Sequence, residues 1–166
     1  MYTSIESFAK EWQELSQRTG QVMANLTDAG LNQPVADGFW TLGKIAWHLV
    51  TTFSEMCNRT GLGLTAVKED APMPSRAKEI ADAYAKASAE LLETVKSKWQ
   101  DSDLQTKVDM YGEQWPNGLT LKILVLHEVH HRGQMTVLMR QAGLKVPGVM
   151  GPSKEDWAKF GMEAPQ

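Results

Sequence analysis

Three scarcities limit the classes of protein to which this sequence can belong. It has one cysteine, Cys57, so no disulfide bond can form within the chain. The apolar run nearest to its histidines is only ILVL, far short of the roughly 20 residues that a membrane-spanning helix needs. The chain has 17 lysines and arginines against 20 aspartates and glutamates, a net charge of -3. This balance argues against a surface that grips nucleic-acid phosphates.

The length and the opening segment indicate one soluble domain. Of the 166 residues, 42% are hydrophobic, which is enough for one compact core but not for a second full domain. We therefore expect a single domain over residues 1–166. The opening segment, MYTSIESFAKEW, lacks the basic and apolar regions of a secretory signal. We expect a cytoplasmic protein that binds neither membrane nor nucleic acid.

Hydrophobic residues recur at steps of three and four through most of the chain, which is the spacing of amphipathic helices. Segments rich in glycine and proline separate these stretches. Four long helices and one short helix are predicted, with caps assigned from serine and threonine. In order, they are a helix through Ile5–Leu26 capped by Thr3, one from the cap Thr41 to about Asn58, one over Ser75–Trp99, one from Leu119 or Thr120 to Gln141, and a short C-terminal helix capped by Ser153.

The pattern predicts an all-α protein. No segment shows the two-residue alternation of a β-strand, and YGEQWPNG is interpreted as a turn-rich connection. An antiparallel four-helix bundle is the simplest architecture for these helices. The connections of roughly ten to twenty residues are long for a simple up-and-down bundle, so a crossover connection is open. Periodicity alone leaves the topology undecided.

Three of the four histidines lie within HEVHH, on the fourth predicted helix. His127 and His131 are four residues apart, so they share a helix face one turn apart. Apolar residues occur on nearly all sides of this helix, so hydrophobicity alone does not show which side is buried. We orient the helix from four polar residues that cluster on one side. His127 and His131 lie opposite that cluster and are predicted to face inward, whereas His130 points away from them. The polar residues are Lys122, Arg132, Thr136 and Arg140.

Two imidazoles at this spacing can converge on one divalent metal ion. His48 lies at the flank of the apolar stripe on the second helix, where it could face His127 and His131 across the bundle. Three neutral imidazoles would leave a coordination position open, as a catalytic metal requires. The alternative is that each histidine is an ordinary hydrogen-bonded or surface residue. Both interpretations stay open at this point.

Four polar residues near the histidines are further candidates. Glu55 shares the face of His48 two turns on, where it could orient a ligand or act as a base, but a solvated glutamate is the simpler interpretation. Glu128 and Arg132 are spaced for an ordinary intrahelical ion pair. Gln134 lies on the His127 side and could contact substrate or a neighbouring helix, with packing the simpler interpretation.

Four other residues have structural interpretations. Cys57 lies half a helical turn round from His48 and is predicted to be a buried small hydrophobe rather than a ligand. Gly133, inside the fourth helix, is predicted to mark a close helix crossing. Trp47 and Trp115 are the tryptophans closest in sequence to the candidate site, and core packing explains both.

The string HEVHHRGQM, together with LGKIAWHL on the second predicted helix, resembles the DinB-like (DinB/YfiT) superfamily of small four-helix proteins. The tail VPGVMGPSKEDWAKFGMEAP is also similar to the ends of many members, so the resemblance extends from about Trp40 to the C-terminus. It implies a bundle in up-down-down-up order, often a homodimer, with a divalent metal held by a histidine triad. Carried over to this sequence, the triad is His48, His127 and His131. Zinc or nickel is the metal that the resemblance favours, with manganese or iron as the others.

The resemblance also implies a class of chemistry. Characterised relatives include thiol-dependent S-transferases and isomerases that use bacillithiol or mycothiol, and some metal-dependent hydrolases. We expect an enzyme in which the metal stabilises the thiolate of a low-molecular-weight thiol for S-transfer to a small-molecule substrate. Two alternatives remain: a hydrolase that activates water, and a non-catalytic dimeric binding protein stabilised by the metal. The superfamily's name refers to induction after DNA damage and does not imply DNA binding.

Overall fold

Four α-helices form a bundle in the computed structural model, which describes residues 1–165. A hairpin of two short strands lies between the third and fourth helices. None of the helices in this part of the chain has both the length and the hydropathy to cross a membrane. The elements are α1 (Ile5–Ala24), α2 (Leu42–Cys57), α3 (Ala77–Lys98), β1 (Lys107–Met110), β2 (Glu113–Pro116) and α4 (Asn117–Gln141).

Hydrogen bonds between helix ends show that the bundle has up-down-down-up order. The end of α1 lies beside the start of α3, so these helices are antiparallel. The ends of α2 and α3 lie together, so these two run in the same direction, and α1 and α4 begin side by side. The long segment between α2 and α3 makes this crossover. The three bonds run from the Ala77 amide to Asp28 Oδ1 at 2.7 Å, from Lys98 Nζ to the Leu62 carbonyl at 2.6 Å, and from the Tyr2 amide to the Gly118 carbonyl at 3.0 Å.

Aromatic side chains from three helices and the N-terminus form a continuous series through the core. Tyr2, Phe8, Trp12, Phe53 and Tyr84 are all buried, and successive ring centroids are 5.3 to 5.9 Å apart. Such edge-to-face and offset contacts add to the stabilisation from burying the rings. The core is therefore packed against α2, which carries one part of the candidate site.

The caps of the first two helices follow from local sequence, with one correction. Thr41 caps α2 as predicted, and its hydroxyl accepts a hydrogen bond from the Lys44 amide at 3.2 Å. The prediction of Thr3 as the cap of α1 is wrong. Ser4 is the cap, with an extended backbone and a hydroxyl that accepts from the Ser7 amide at 3.4 Å. Adjacent hydroxyl residues make this one-residue choice hard to predict.

The prediction that the chain contains no strand is wrong. Val108 and Met110 point towards the core from β1, between exposed neighbours, and β1 pairs with β2 in antiparallel register. Tyr111 and Gly112 join the strands with positive φ angles of 60° and 88°, as a two-residue type I′ turn requires. The alternation in KVDM spans only four residues, which is too short to stand out against the surrounding helical pattern.

The orientation predicted for α4 is wrong in one respect. Arg132, counted among its solvent-facing polar residues, is only 2% exposed, and Glu128 is fully buried. Tyr84 donates a hydrogen bond to Glu128, and Arg132 Nη1 donates to Thr19 Oγ1 at 3.2 Å. Glu128 and Arg132 contact other helices and do not pair with each other within 4.0 Å, so the predicted intrahelical ion pair is wrong. Burial raises the pKa of Glu128 to about 7, against the opposing effects of the Tyr84 hydrogen bond and of the nearby Arg132. Partners on other helices allow both groups to be buried.

Two smaller predictions are also wrong. Gly133 is exposed, and a Cβ atom there would meet no heavy atom within 4 Å outside its own helix, so it does not mark a helix crossing. The close approach is at Gly118, where a Cβ atom would lie 2.1 Å from the Tyr2 carbonyl oxygen. The predicted C-terminal α-helix is a short 3₁₀ turn, Trp157–Phe160, and Ser153 does not cap it.

Candidate metal centre

The structure brings together the three histidines that the sequence singled out. His48 extends from α2, and His127 and His131 extend from α4. The Nε2 atom of His127 lies 3.0 Å from Nε2 of His48 and 3.1 Å from Nε2 of His131. Zinc–nitrogen bonds of about 2.0–2.1 Å in tetrahedral geometry would separate the nitrogens by roughly 3.4 Å. The three imidazoles therefore fit a divalent ion after a shift of a few tenths of an ångström.

The histidines lie at the flank of the buried face of α4, and not at its centre. Glu128 and Arg132 occupy the centre, so His127 and His131 face the edge between α2 and α4 and are half-buried. His48 is half-buried between buried neighbours on α2, at the flank predicted from its apolar stripe. The predicted inward direction therefore holds only in part. A cluster at this edge is held by the core and remains open to small molecules.

Gln134 fixes the orientation of one imidazole. Nδ1 of His131 lies 2.7 Å from the side-chain oxygen of Gln134, one turn further along α4. An amide oxygen only accepts hydrogen bonds, so the ring proton is on Nδ1 and the Nε2 lone pair faces the cluster. Ligand histidines in metal sites are commonly held in this way. The simpler interpretation of Gln134, a packing role, missed this contact. The three-residue spacing from His131 is the sequence signal that could have indicated it.

Burial keeps the three imidazoles neutral near pH 7. Burial first, and then the neighbouring His131, His48 and His130, lower the pKa of His127 to about 4. The pKa of His48 is also lowered, first by burial and then by His131, against an opposing effect of Glu55. Burial likewise lowers the pKa of His131. Neutral imidazoles offer lone pairs to a cation, so the protonation state fits metal binding.

The cluster has an aromatic wall that the sequence did not single out. Trp40 stacks on His131 with ring centroids 6.4 Å apart and meets the His48 ring edge-on at 5.0 Å. It is 44% exposed, so it covers one side of the cluster without closing it. The only sequence signal is its place directly before the cap Thr41, which aims the side chain towards the first turns of α2.

A cavity of about 420 Å³ adjoins the cluster on the His48 side. Its lining comes mainly from the first half of α2 and from a short segment of the connection to α3. This volume suits a small molecule. The cavity is lined by Trp40, Lys44, Trp47, Thr51 and residues 69–73.

Two other candidates lie outside the cluster of ligand atoms. His130 is exposed and touches only the edge of the His131 ring, as its predicted direction implies. The Glu55 carboxylate accepts hydrogen bonds from Tyr111 Oη at 2.7 Å and from Arg59 Nε at 3.2 Å. These contacts hold the hairpin and the end of α2 together. Glu55 is therefore a structural carboxylate, neither a group that orients a ligand nor a freely solvated one.

The remaining side chains have the structural roles expected of them. Cys57 is buried, and burial raises the pKa of its thiol to about 12, which keeps it protonated. Trp47 is buried and donates from Nε1 to the Ala71 carbonyl at 2.8 Å, across the cavity wall. Trp115 is half-buried on the hairpin and donates to Glu113.

Comparisons with known proteins bear on the family and the fold of this chain. The family model described as the DinB family matches residues 1–165. YrdA of Bacillus subtilis, described as uncharacterised, is 46% identical over 166 residues, which is 100% of this chain and 99% of that protein. YfiT of Bacillus subtilis, described provisionally as a metal-dependent hydrolase, is 27% identical over 86% of this chain and 92% of its own. The crystal structure of a DinB-like protein from Bacillus cereus has a TM-score of 0.86 and 46% identity, covering 90% of this chain and 99% of that one.

Proposed function

This chain belongs to the DinB family, and on that premise we propose that it is a divalent-metal-dependent enzyme whose metal is held by His48, His127 and His131. The observation that carries the proposal is the convergence of three neutral Nε2 atoms at an edge that opens into a cavity. The family resemblance favours zinc or nickel, both of which imidazole ligands suit, with manganese or iron as the others. Three protein ligands leave a position for a small molecule, which distinguishes a catalytic site from a closed structural one.

The residues around the triad have separate tasks in this proposal. A divalent ion bound there would supply a charge that its neutral ligands leave uncompensated and that stabilises an anion such as a thiolate. Gln134 holds the lone pair of His131 towards the centre. Trp40 limits access of water on one side, and the cavity beside His48 admits the substrate.

We propose S-transfer from a low-molecular-weight thiol as the reaction. The thiol sulfur forms a bond to an electrophilic atom of the substrate, the leaving group departs with the electron pair of the broken bond, and the thiol proton passes to solvent. No carboxylate joins the ligand atoms of the triad in the described residues, so a base is not built into the cluster. A thiol, with an ordinary pKa of about 8.5 against 15.7 for water, has less need of one.

Hydrolysis is the second candidate, because the provisional name of the relative YfiT points to it. The same three imidazoles and the same cavity would serve a reaction in which water attacks a small substrate. A non-catalytic dimeric binding protein stabilised by the metal is the third candidate. An open edge and an adjoining cavity favour the first two over the third.

We also propose that the protein acts as a cytoplasmic homodimer. The outer face of α4 carries Leu126, Val129 and Val137, each between 40% and 58% exposed, and a second copy could cover this stripe. A low-molecular-weight thiol stays reduced in the cytoplasm, which suits the proposed reaction. Analytical ultracentrifugation of the protein and of a Val129→Lys, Val137→Lys variant tests the dimer.

The first experiment is a measurement of metal content. Untagged protein is purified without chelators and analysed by plasma mass spectrometry, beside a His127→Ala, His131→Ala variant and a His130→Ala control. We expect about one equivalent of metal in the parent and the control and none in the double variant. A parent that holds no metal, even after reloading with zinc, nickel, manganese or iron, would contradict the proposal. If metal is present, thiol-dependent consumption of electrophiles then separates S-transfer from hydrolysis.

A further inference from the structure

We propose that the cavity beside the triad binds a small zwitterionic molecule, with Lys44 contacting its anionic group and Glu69 and Asp70 contacting its cationic group. The inference deepens the proposed function and rests on it, since the molecule would reach the metal from this cavity. It concerns the substrate class, which the triad itself does not specify. The proposal rests on side chains of both charge signs that line one cavity.

Lys44 is the cation of this cavity. It lies one helical turn before His48, so the two side chains share a face of α2, about 6 Å apart along the axis. Its ammonium group has no carboxylate within 4.0 Å in the described residues, and its nearest assigned contact is the Trp40 ring at 6.0 Å. An unpaired ammonium so close to the triad is suited to an anionic group on a molecule whose reacting atom lies at His48.

Glu69 and Asp70 line the same cavity from the connection between α2 and α3. Both carboxylates are exposed, and neither has a lysine or arginine nitrogen within 4.0 Å in the described part of the chain. They do not pair with Lys44, although the same cavity is lined by all three residues. The space between them separates charges that would otherwise neutralise each other. A molecule that bridges this space with its own opposite charges would complement both walls.

The acidic wall is held in place by hydrogen bonds to α2 and α3. Trp47 Nε1 donates to the Ala71 carbonyl at 2.8 Å, directly after Asp70. Earlier in the same segment, the Glu90 carboxylate accepts from the Thr65 and Ala66 amides at 2.9 and 2.8 Å. Such contacts reduce the ordering that binding would otherwise require. These hydrogen bonds therefore hold the segment that carries the two carboxylates against α2 and α3.

The size of the site narrows the class further. A cavity of about 420 Å³ accommodates a molecule of amino-acid to small-peptide size. The geometry thus points to an amino-acid-like molecule, with the reacting sulfur or hydrolysable group on the His48 side.

Three thiols of similar size test the inference by calorimetry on zinc-loaded protein. L-cysteine carries both charges, N-acetyl-L-cysteine only the anion, and L-cysteine ethyl ester only the cation. Each is titrated into the parent, into Lys44→Gln and into a Glu69→Gln, Asp70→Asn variant. Because each substitution alters the electrostatic environment of a zinc-bound thiolate in the same way for all three thiols, the comparison between thiols within each variant isolates the contacts to the carboxylate and amino groups. Bound zinc is measured after each titration.

We expect Lys44→Gln to weaken the binding of cysteine and N-acetylcysteine about three- to tenfold more than that of the ester. The acidic double variant should weaken the binding of cysteine and the ester, relative to that of N-acetylcysteine, by a similar factor. Lys78→Gln is the matched control, since Lys78 pairs with Asp82 on α3, and should change none of the three.

Three outcomes overturn the inference in distinguishable ways. If the variants weaken the binding of all three thiols equally, or of none, the inference is wrong, but the proposed metal site is not contradicted. Failure of every thiol to bind the zinc-loaded parent also overturns it, together with the proposal of S-transfer. A parent that does not retain zinc contradicts the proposed function itself, and the inference fails with it.

Discussion

Nδ1 of His131 donates a hydrogen bond to the side-chain oxygen of Gln134 over 2.7 Å. The bond places the ring proton of His131 on the side facing away from His48 and His127, so that its Nε2 atom can act as a ligand beside theirs. Gln134 is exposed and contributes nothing to the core. Its contact with His131 therefore makes it a positioning residue for the candidate metal centre.

Replacing Gln134 should weaken metal binding without unfolding the protein. We expect Gln134→Ala to lower zinc affinity about 10- to 100-fold, as loss of such supporting contacts does in other sites. Competition with a chromophoric chelator measures the affinity. Gln141→Ala, an exposed glutamine on the same helix, is the control and should bind zinc like the parent. Equal affinities of the two variants would show that the His131–Gln134 bond has no role in the site.

The buried partners of α4 should be sensitive to removal. Arg132→Met removes the donor to the Leu15 carbonyl and Thr19, and it takes away the nearby cation that favours the buried Glu128 carboxylate. Each hydrogen bond to a charged group contributes about 1.5–3 kcal/mol, so losing both should destabilise the fold by about 3–5 kcal/mol. Urea unfolding followed by circular dichroism measures the free energy of unfolding.

A control for that substitution is available on the same helix. Arg140 is exposed and pairs with Glu155, so Arg140→Met should lower stability by about 1 kcal/mol at most. Tyr84→Phe, which removes the donor to Glu128, should have an intermediate effect of about 1–3 kcal/mol. If Arg132→Met costs no more than Arg140→Met, the buried contacts of Arg132 do not stabilise the fold.

Replacing two glycines of α4 with alanine should change the stability of the fold in opposite directions. At Gly118 a Cβ atom would lie 2.1 Å from the Tyr2 backbone oxygen, so Gly118→Ala must displace the N-terminus and should destabilise the fold. At Gly133 the same atom would meet open space within a helix, so Gly133→Ala should stabilise by up to about 1 kcal/mol. Thermal unfolding of the two variants compares them directly. A stabilising Gly118→Ala would show that the close approach to Tyr2 is relieved at no cost.

Cys57 should be inert in the folded protein. Burial raises the pKa of its thiol to about 12, well above the ordinary value, so the reactive thiolate is scarce at pH 8. We expect no reaction with Ellman's reagent under native conditions and one equivalent after unfolding in guanidinium chloride, since the chain has one cysteine. Rapid native labelling would contradict the buried position. The metal site can thus be probed with thiols without interference from the protein's own sulfur.

Much of the candidate site was available from the sequence, because its spacing rules are local. The four-residue step from His127 to His131 predicts a shared helix face. The structure also places His48 at the flank of the apolar stripe of α2, as the sequence predicts. Trp40 and Lys44 were missed, since nothing in their neighbourhood indicates which helix they will meet. Whether the triad holds a metal stays a prediction.

The sequence by itself determined the four helices, most of their limits and the cap Thr41, because periodicity and capping depend on residues within a turn or two of one another. Tertiary structure decided which side of α4 is buried. Arg132 looks solvent-facing on its own helix, and only the acceptors on α1 make its burial favourable. Tertiary structure also decided the cavity, whose charged walls come from α2 and a connection more than twenty residues later. Pairings between distant segments have no signature in a local pattern, so only the folded chain shows them.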